Sequence, residues 1–392
     1  MKRFDFDLRD VWHIVFGYGT VAVLVCSVLF LQLSGIVPGL SQPEASFKQQ
    51  HLSIADIAES TVQAPYAFTQ LIIRKILPNT IYAMRFTSAL FAAVILIAYF
   101  YLLKSWFGQR VALLGSLLML ISSTFLHSAR LAIPDVVYGA FIIPFVLFII
   151  MQNSRRPGGW FVLLCVSAAT LMYVPGFLVI FIAALAWKGK SLLSEFQELP
   201  LISQVVATAL FFLITLPLLW QGVQNTAVAQ SILGINPVPG LGLFVHRLLD
   251  TLLAIGIRGP QDPVFRVGHV PILDIFSSAM VVIGLYGYVK HFGLDRSKFV
   301  FGYLLVGIVL TAWYGISSYS LLLLPLYAIM TAGIVTMIEK WFSVFPKNPI
   351  AKYIGVFVMA LAVSSSVLYN FSSYFVAWPN TPETRQAFRL KP

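Results

Sequence analysis

Glu44 and Asp135 are the two acids whose surroundings could support catalysis. A carboxylate can take a proton from an attacking hydroxyl or amine. Glu44 follows the first apolar run, and Asp135 closes the turn His127-Ser128-Ala129-Arg130-Leu131-Ala132-Ile133-Pro134-Asp135. Arg85 opens the second apolar run, and Arg130 sits in the same turn as Asp135. Lys48, Arg74, Lys75, Arg247, Arg258 and Arg266 stand in the long loops. A guanidinium stays charged and grips phosphate oxygens through paired N–H groups. Acids and arginines at one rim of a lipid-embedded bundle therefore suit a lipid-phosphate leaving group, although a transporter can hold similar pairs. Each residue also has a plain structural use. Glu44 could be a solvated loop acid, Asp135 could cap a helix start after Pro134, and Arg85 and Arg130 could snorkel to headgroups. His127 and His269 have no partner histidine at ligand spacing, so they read as interface residues and no metal site is predicted. Cys26 and Cys165 lie inside apolar runs and read as small hydrophobes.

The elements that must position these groups are written in the composition. The chain has 392 residues, 59% hydrophobic and 10% charged, whereas a soluble domain carries about 25% charged residues. Lipid must be the solvent for much of it. The net charge of +11 is scattered in short turns between apolar runs, which argues against a nucleic-acid partner. The expected fold is an all-α polytopic membrane protein of about eleven spans. The spans lie near 13–35, 86–103, 111–127, 135–151, 159–174, 176–187, 204–220, 272–289, 299–316, 320–338 and 353–370. Val174-Pro175-Gly176 separates the fifth from the sixth, and the sixth is short.

With the N-terminus in the cytoplasm, 15 of the 26 basic residues are cytoplasmic, beginning with Lys2, Arg3 and Arg9. The positive-inside rule then puts the C-terminus outside. The first run lacks a small-residue cleavage site and reads as a retained span. Two outer loops, about 37–85 and 221–271, are too long for turns. Both carry apolar residues at helical spacing, including Phe244 to Ile257, and predict helices lying flat in the interface. The whole of 1–392 reads as a single integral membrane unit whose working face is the outer one.

Several stretches, in this order, resemble the protein O-mannosyltransferase and aminoarabinose-transferase-like branch of the polytopic GT-C glycosyltransferases (glycosyltransferase family 39-like). They are Leu40-Ser41-Gln42-Pro43-Glu44-Ala45, Ala64-Pro65-Tyr66, Met84-Arg85-Phe86-Thr87-Ser88 and Trp106-Phe107-Gly108-Gln109-Arg110. They continue with Ala129-Arg130-Leu131-Ala132-Ile133-Pro134-Asp135, Gly268-His269-Val270-Pro271-Ile272-Leu273-Asp274 and Tyr374-Phe375-Val376-Ala377-Trp378-Pro379. The resemblance implies a membrane enzyme that moves a sugar from a polyprenyl-phosphate carrier to a lipid, glycan or protein acceptor on the extracytoplasmic face of the plasma membrane. It implies Glu44 as general base with inversion at the anomeric carbon, Asp135 orienting the acceptor, and Arg85 and Arg130 on the donor phosphate with Lys75 and Arg258 behind them. Tyr66, His127, His269 and Tyr319 would line the substrate pocket. Some GT-C enzymes use a divalent metal and others do not, so the cofactor stays open.

The chain departs from the family pattern at three places. At the first-loop motif one acid, Glu44, stands where an acidic pair is common, and Pro43 precedes it. Tyr173 stands where a lysine is common, and Ser318-Tyr319-Ser320-Leu321 stands where Arg-Tyr is common, with Pro325 further on. An inactive relative, or a transporter or lipid flippase, has the same hydropathy. A transporter would favour an internal repeat and charges near mid-membrane, and no repeat is visible.

Overall fold

Long apolar runs can satisfy their backbone polar groups in lipid only by coiling into helices, and helices make up nearly all the regular structure of this chain. The computed structural model describes residues 8–77, 80–233, 238–259 and 261–390. Lys2 and Arg3 of the orientation argument lie outside these residues. Helix α1 (Leu8–Phe30) leads into the first long loop, which holds α2 (Gln42–Gln50), α3 (Ile54–Glu59) and α4 (Ala64–Ile76). Then come α5 (Thr80–Phe107), α6 (Gln109–Ile121) and α7 (Ser123–Arg130), a 3-10 segment (Pro134–Ile142), and α8 (Ile143–Gln152), α9 (Pro157–Leu171), α10 (Phe177–Glu198) and α11 (Leu201–Gln224). The second long loop holds α12 (Thr226–Leu233) and α13 (Leu241–Gly256). It is followed by α14 (Ile275–Lys290), α15 (Asp295–Tyr314), α16 (Ser320–Val344) and α17 (Pro349–Ser372). A π turn (Ser373–Ala377), α18 (Trp378–Asn380) and α19 (Pro382–Ala387) close the chain. Among the described residues the one β feature is an isolated bridge between Leu40 and Leu390.

The flat helices expected in both loops are present as α2–α4 and as α12 and α13. Seven helices among the described residues are long and apolar enough to cross a membrane. The other expected spans are shorter or broken. Gly19–Phe30, Pro157–Leu171 and Ile275–Lys290 are apolar but short, and the expected 111–127 span is the pair α6 and α7, bent by 68°. The bend has a local cause. The Ser122 N–H closes α6 on the Leu118 and Met119 carbonyls, while its hydroxyl accepts from the Phe125 N–H and starts α7. The expected 135–151 helix is 3-10 in its first half. Pro144 cannot donate to residue 140, so the chain tightens ahead of it, with the Ile143 N–H bonded to the Ala140 carbonyl. The sixth expected span, 176–187, runs on to Glu198.

Packing without a hydrophobic driving force relies on close backbone approach. Helices α14 and α16 meet through Gly284 and Gly333. A Cβ on Gly284 would lie 1.9 Å from the Ile329 carbonyl oxygen, and one on Gly333 would lie 1.9 Å from that of Met280. At one end of the bundle the two loops and the tail converge. The Leu40 N–H donates to the Leu390 carbonyl (2.9 Å), and Gly39 has no room for a Cβ, which would sit 1.9 Å from the Phe388 carbonyl oxygen. The indole N–H of Trp378 (3.0 Å) and the Thr384 hydroxyl (3.2 Å) both donate to the Pro263 carbonyl.

Gly284→Ala and Gly333→Ala each overpack this helix pair and are expected to destabilise by about 1–3 kcal/mol. Thermal unfolding of the detergent-purified protein checks this. Gly287→Ala is the control, because its Cβ would meet Thr336 at an ordinary 3.5 Å.

Candidate active site

Ser41-Gln42-Pro43-Glu44 forms a capping box at the start of α2, which turns the Glu44 side chain back toward the helix start. Oε2 accepts from the Ser41 N–H (2.9 Å) and hydroxyl (3.1 Å), and Oε1 accepts from the Ala132 N–H (2.9 Å). Arg85, on the first turns of α5, grips the same carboxylate with Nε on Oε1 (3.0 Å) and Nη2 on Oε2 (3.2 Å). Its remaining donors go to main-chain carbonyls: Nη1 to Leu33 and Val37 (2.9 Å each), and Nη2 to Gly39 (2.8 Å). A guanidinium has five N–H donors, and here all three nitrogens are engaged. Both side chains are fully buried. The pair therefore ties the end of α1, the first loop, α5 and the turn before Asp135 into one knot.

Arg130 is committed through its terminal nitrogens, while its Nε has no protein partner. Its Nη1 and Nη2 donate to the Val28 and Leu31 carbonyls left open at the end of α1, and its guanidinium lies 5.3 Å from the Phe375 ring centroid. Tyr66 is buried with its hydroxyl 2.6 Å from that of Ser88, which in turn donates to the Leu131 carbonyl. Burial keeps the Tyr66 phenol protonated far above its ordinary range. These contacts brace the turn that presents Asp135.

Asp135 itself is half-buried at the start of the 3-10 segment. Its carboxylate meets the side chain and backbone of Ser318, just ahead of α16, and lies within electrostatic reach of Asp262. Asp262 starts a tight turn in the second loop. Its side chain accepts from the Val264 N–H (3.0 Å) and its carbonyl accepts from Arg266 (2.8 Å). Burial pushes the Asp262 carboxyl up, opposed by the Val264 N–H and the Arg266 charge. Arg266 is 5% exposed, and its guanidinium lies 4.6 Å over the ring of Tyr319. Its Nη1 donates to the Val270 carbonyl at 3.2 Å, while Nε and Nη2 have no protein partner. Burial lowers its pKa to about 10, which leaves it cationic at neutral pH. His127 is buried on edge against Tyr374 (4.8 Å) and Trp378 (4.6 Å), is an electrostatic neighbour of Arg266, and has no partner for Nδ1.

Asp135, Asp262, Arg266, Ser318 and Tyr319 thus gather at one end of the bundle, with His127 beside them. The remaining expected residues stand apart. Lys75 is exposed on the last turn of α4. Arg258 and His269 are exposed and face each other at 3.4 Å, with His269 Nδ1 3.0 Å from the Gly259 carbonyl, so they fasten the neck of the second loop. Tyr173 supplies no charge, and its hydroxyl donates to the Ile214 carbonyl (2.6 Å). The sequence reading missed Asp262 and Ser318, and it placed Arg266 only among the loop cations. The Asp262-Pro263 turn signal marks the acid, but nothing local marks Arg266 as a guanidinium with two nitrogens left over.

Residues 59–233 match the family model described as dolichyl-phosphate-mannose-protein mannosyltransferase. The matched segment contains Asp135 and begins after Glu44. No curated protein sequence matches. Among solved structures the chain is similar to ArnT from Cupriavidus metallidurans bound to undecaprenyl phosphate, with a TM-score of 0.58, 13% identity, and coverage of 95% of this chain and 77% of that one. It is also similar to the oligosaccharyltransferase AglB from Archaeoglobus fulgidus in complex with an inhibitory peptide and a dolichol-phosphate, with a TM-score of 0.55, 13% identity, and coverage of 98% and 60%. This multi-pass membrane chain has the all-helical fold of the GT-C glycosyltransferase superfamily.

Proposed function

We propose that the chain transfers a sugar from a polyprenyl-phosphate-linked donor to a nucleophilic acceptor at the extracytoplasmic rim of the membrane, with inversion at the anomeric carbon. The observation that carries this reading is the buried Arg266 guanidinium, with Nε and Nη2 unpaired, next to Asp262, which in turn lies within electrostatic reach of Asp135. A buried cation with free N–H groups calls for an anion of matching geometry, and a phosphate ester meets that need. The family match supports the same donor class, as do the lipid phosphates bound in the ArnT and AglB structures.

In this reading Asp135 takes the role that the sequence suggested for Glu44. Its carboxylate accepts the proton of the acceptor hydroxyl or amine as the new bond to the anomeric carbon forms. The bond from that carbon to the phosphate oxygen breaks, and the phosphate leaves with the electron pair. Arg266 neutralises the growing charge on the leaving phosphate. Tyr319 supports the guanidinium from its ring face. Asp262 holds the loop turn and orients the acceptor, while Ser318 fixes Asp135. Attack opposite the leaving phosphate is what inverts the configuration.

Transfer of labelled sugar from a polyprenyl-phosphate donor in reconstituted vesicles tests the reading. Asp135→Asn is expected to lower the rate about 10²–10⁴-fold at unchanged thermal stability, and Arg266→Gln to lower it comparably. A rate preserved in Asp135→Asn would remove this assignment.

Glu44 and Arg85 predict the opposite pattern. Glu44→Gln strands a buried guanidinium and is expected to destabilise by about 3–5 kcal/mol. The surviving folded fraction should retain its transfer rate per molecule. If Glu44→Gln instead loses turnover at an unchanged melting temperature, Glu44 acts on substrate and the clamp reading is wrong.

A further inference from the structure

A cleft of about 470 Å³ opens at the other end of the bundle. Three helices bring cations to it: Lys290 from the end of α14, Arg296 from the start of α15 and Lys340 from the last turns of α16. One acid, Glu339, shares the cleft, as does His291. Two hydroxyls in its wall, Tyr288 Oη and Ser297 Oγ, are buried without a protein partner, in residues 4% and 0% exposed. Arg296 has only a long contact to the Trp106 carbonyl (3.4 Å) and a ring contact with Phe107, and Lys340 lies 4.9 Å from the centroid of Tyr286. Arg296 and Lys340 are thus held by aromatic faces, and none of the three cations is in an ion pair among the described residues. Asp295, the acid next to Arg296, is turned away onto Lys188 (2.6 Å).

The height of the cleft identifies its ligand. Tyr319 caps α16 at the end that bears Asp135 and Arg266, and Lys340 stands 21 residues further along the chain. At about 1.5 Å of rise per residue the two ends are separated by roughly 30 Å, the thickness of the bilayer hydrocarbon. With the acidic site at one interface, the cleft lies at the headgroup level of the opposite leaflet. Aromatic side chains line its edge, as suits the boundary between acyl chains and water. We infer that this cleft binds the phosphodiester headgroup of an anionic membrane lipid from the leaflet opposite the active site. Lys290, Arg296 and Lys340 supply the charge, and Tyr288 and Ser297 donate hydrogen bonds to the phosphate. The inference does not depend on the chemistry proposed for the other end of the protein.

Native mass spectrometry of the purified full chain, titrated with phosphatidylglycerol, tests it. The expected result is one saturable lipid adduct, with phosphatidylcholine much weaker. The triple variant Lys290→Gln/Arg296→Gln/Lys340→Gln should lower the apparent affinity for phosphatidylglycerol about a hundredfold. Removing the exposed cations Lys347 and Arg155 should leave the adduct unchanged. Tyr288→Phe and Ser297→Ala, which keep shape and charge, should weaken it several-fold and so guard against misfolding of the triple variant. Absence of a saturable adduct, equal loss with the control cations, or full displacement by inorganic phosphate at matched concentration would each overturn the proposal, the last by assigning the cleft to a free anion.

Discussion

Where water is scarce, a charged donor must find every partner inside the protein, because each unsatisfied N–H is costly. Arg85 meets this constraint by drawing in four segments at once. Its guanidinium takes the Glu44 carboxylate on one side and the carbonyls of Leu33, Val37 and Gly39 on the other. Glu44 then reaches the Ala132 N–H, three residues ahead of Asp135. The position of the candidate base is therefore set by this buried knot. Taking away either member leaves the other as a buried lone charge, so the pair is a condition for the site.

The three arginines at this end differ in how far their hydrogen bonds are saturated. Arg85, Arg130 and Arg266 are all buried. The nitrogens of Arg85 are fully engaged, and both terminal nitrogens of Arg130 close the end of α1, which leaves only its Nε without a partner. Arg266 has one bond to the Val270 carbonyl and a ring beneath it, and it keeps Nε and Nη2 open. Residue type could not distinguish them, since any of the three guanidinium groups is chemically able to bind phosphate.

The spans and the flat loop helices were legible in the sequence because they rest on local properties. Apolar runs of sufficient length must coil in lipid, and Ser41 with Glu44 is a helix-start signature wherever it occurs. The 68° bend between α6 and α7 was hidden because one serine, Ser122, both ends and starts a helix inside an otherwise continuous apolar stretch. The acid Glu44 was legible, but its partners Arg85 and Ala132, 41 and 88 residues away, were not. For the same reason Asp262 was hidden and Arg266 stood out no more than the other loop cations. They enter the site only because Trp378 and Thr384, more than a hundred residues later, hold the Pro263 carbonyl in place. Closure of the second loop by the tail is a long-range event that no local pattern encodes.

The same fold fixes the height of both polar ends against the lipid. Helix α16 carries the Tyr319 end and the Lys340 end on one rod, and α14 is locked to it by the Gly284 and Gly333 contacts. Neither end can sink without forcing the other into hydrocarbon or out into water. A substrate whose phosphate rides at the headgroup level needs its partner charge at that same level. A rigid rod of bilayer length supplies this more directly than a mobile loop could. The long loops can then lie flat and cover the rim, carrying Asp262 and Arg266 to a place whose depth the bundle has already set.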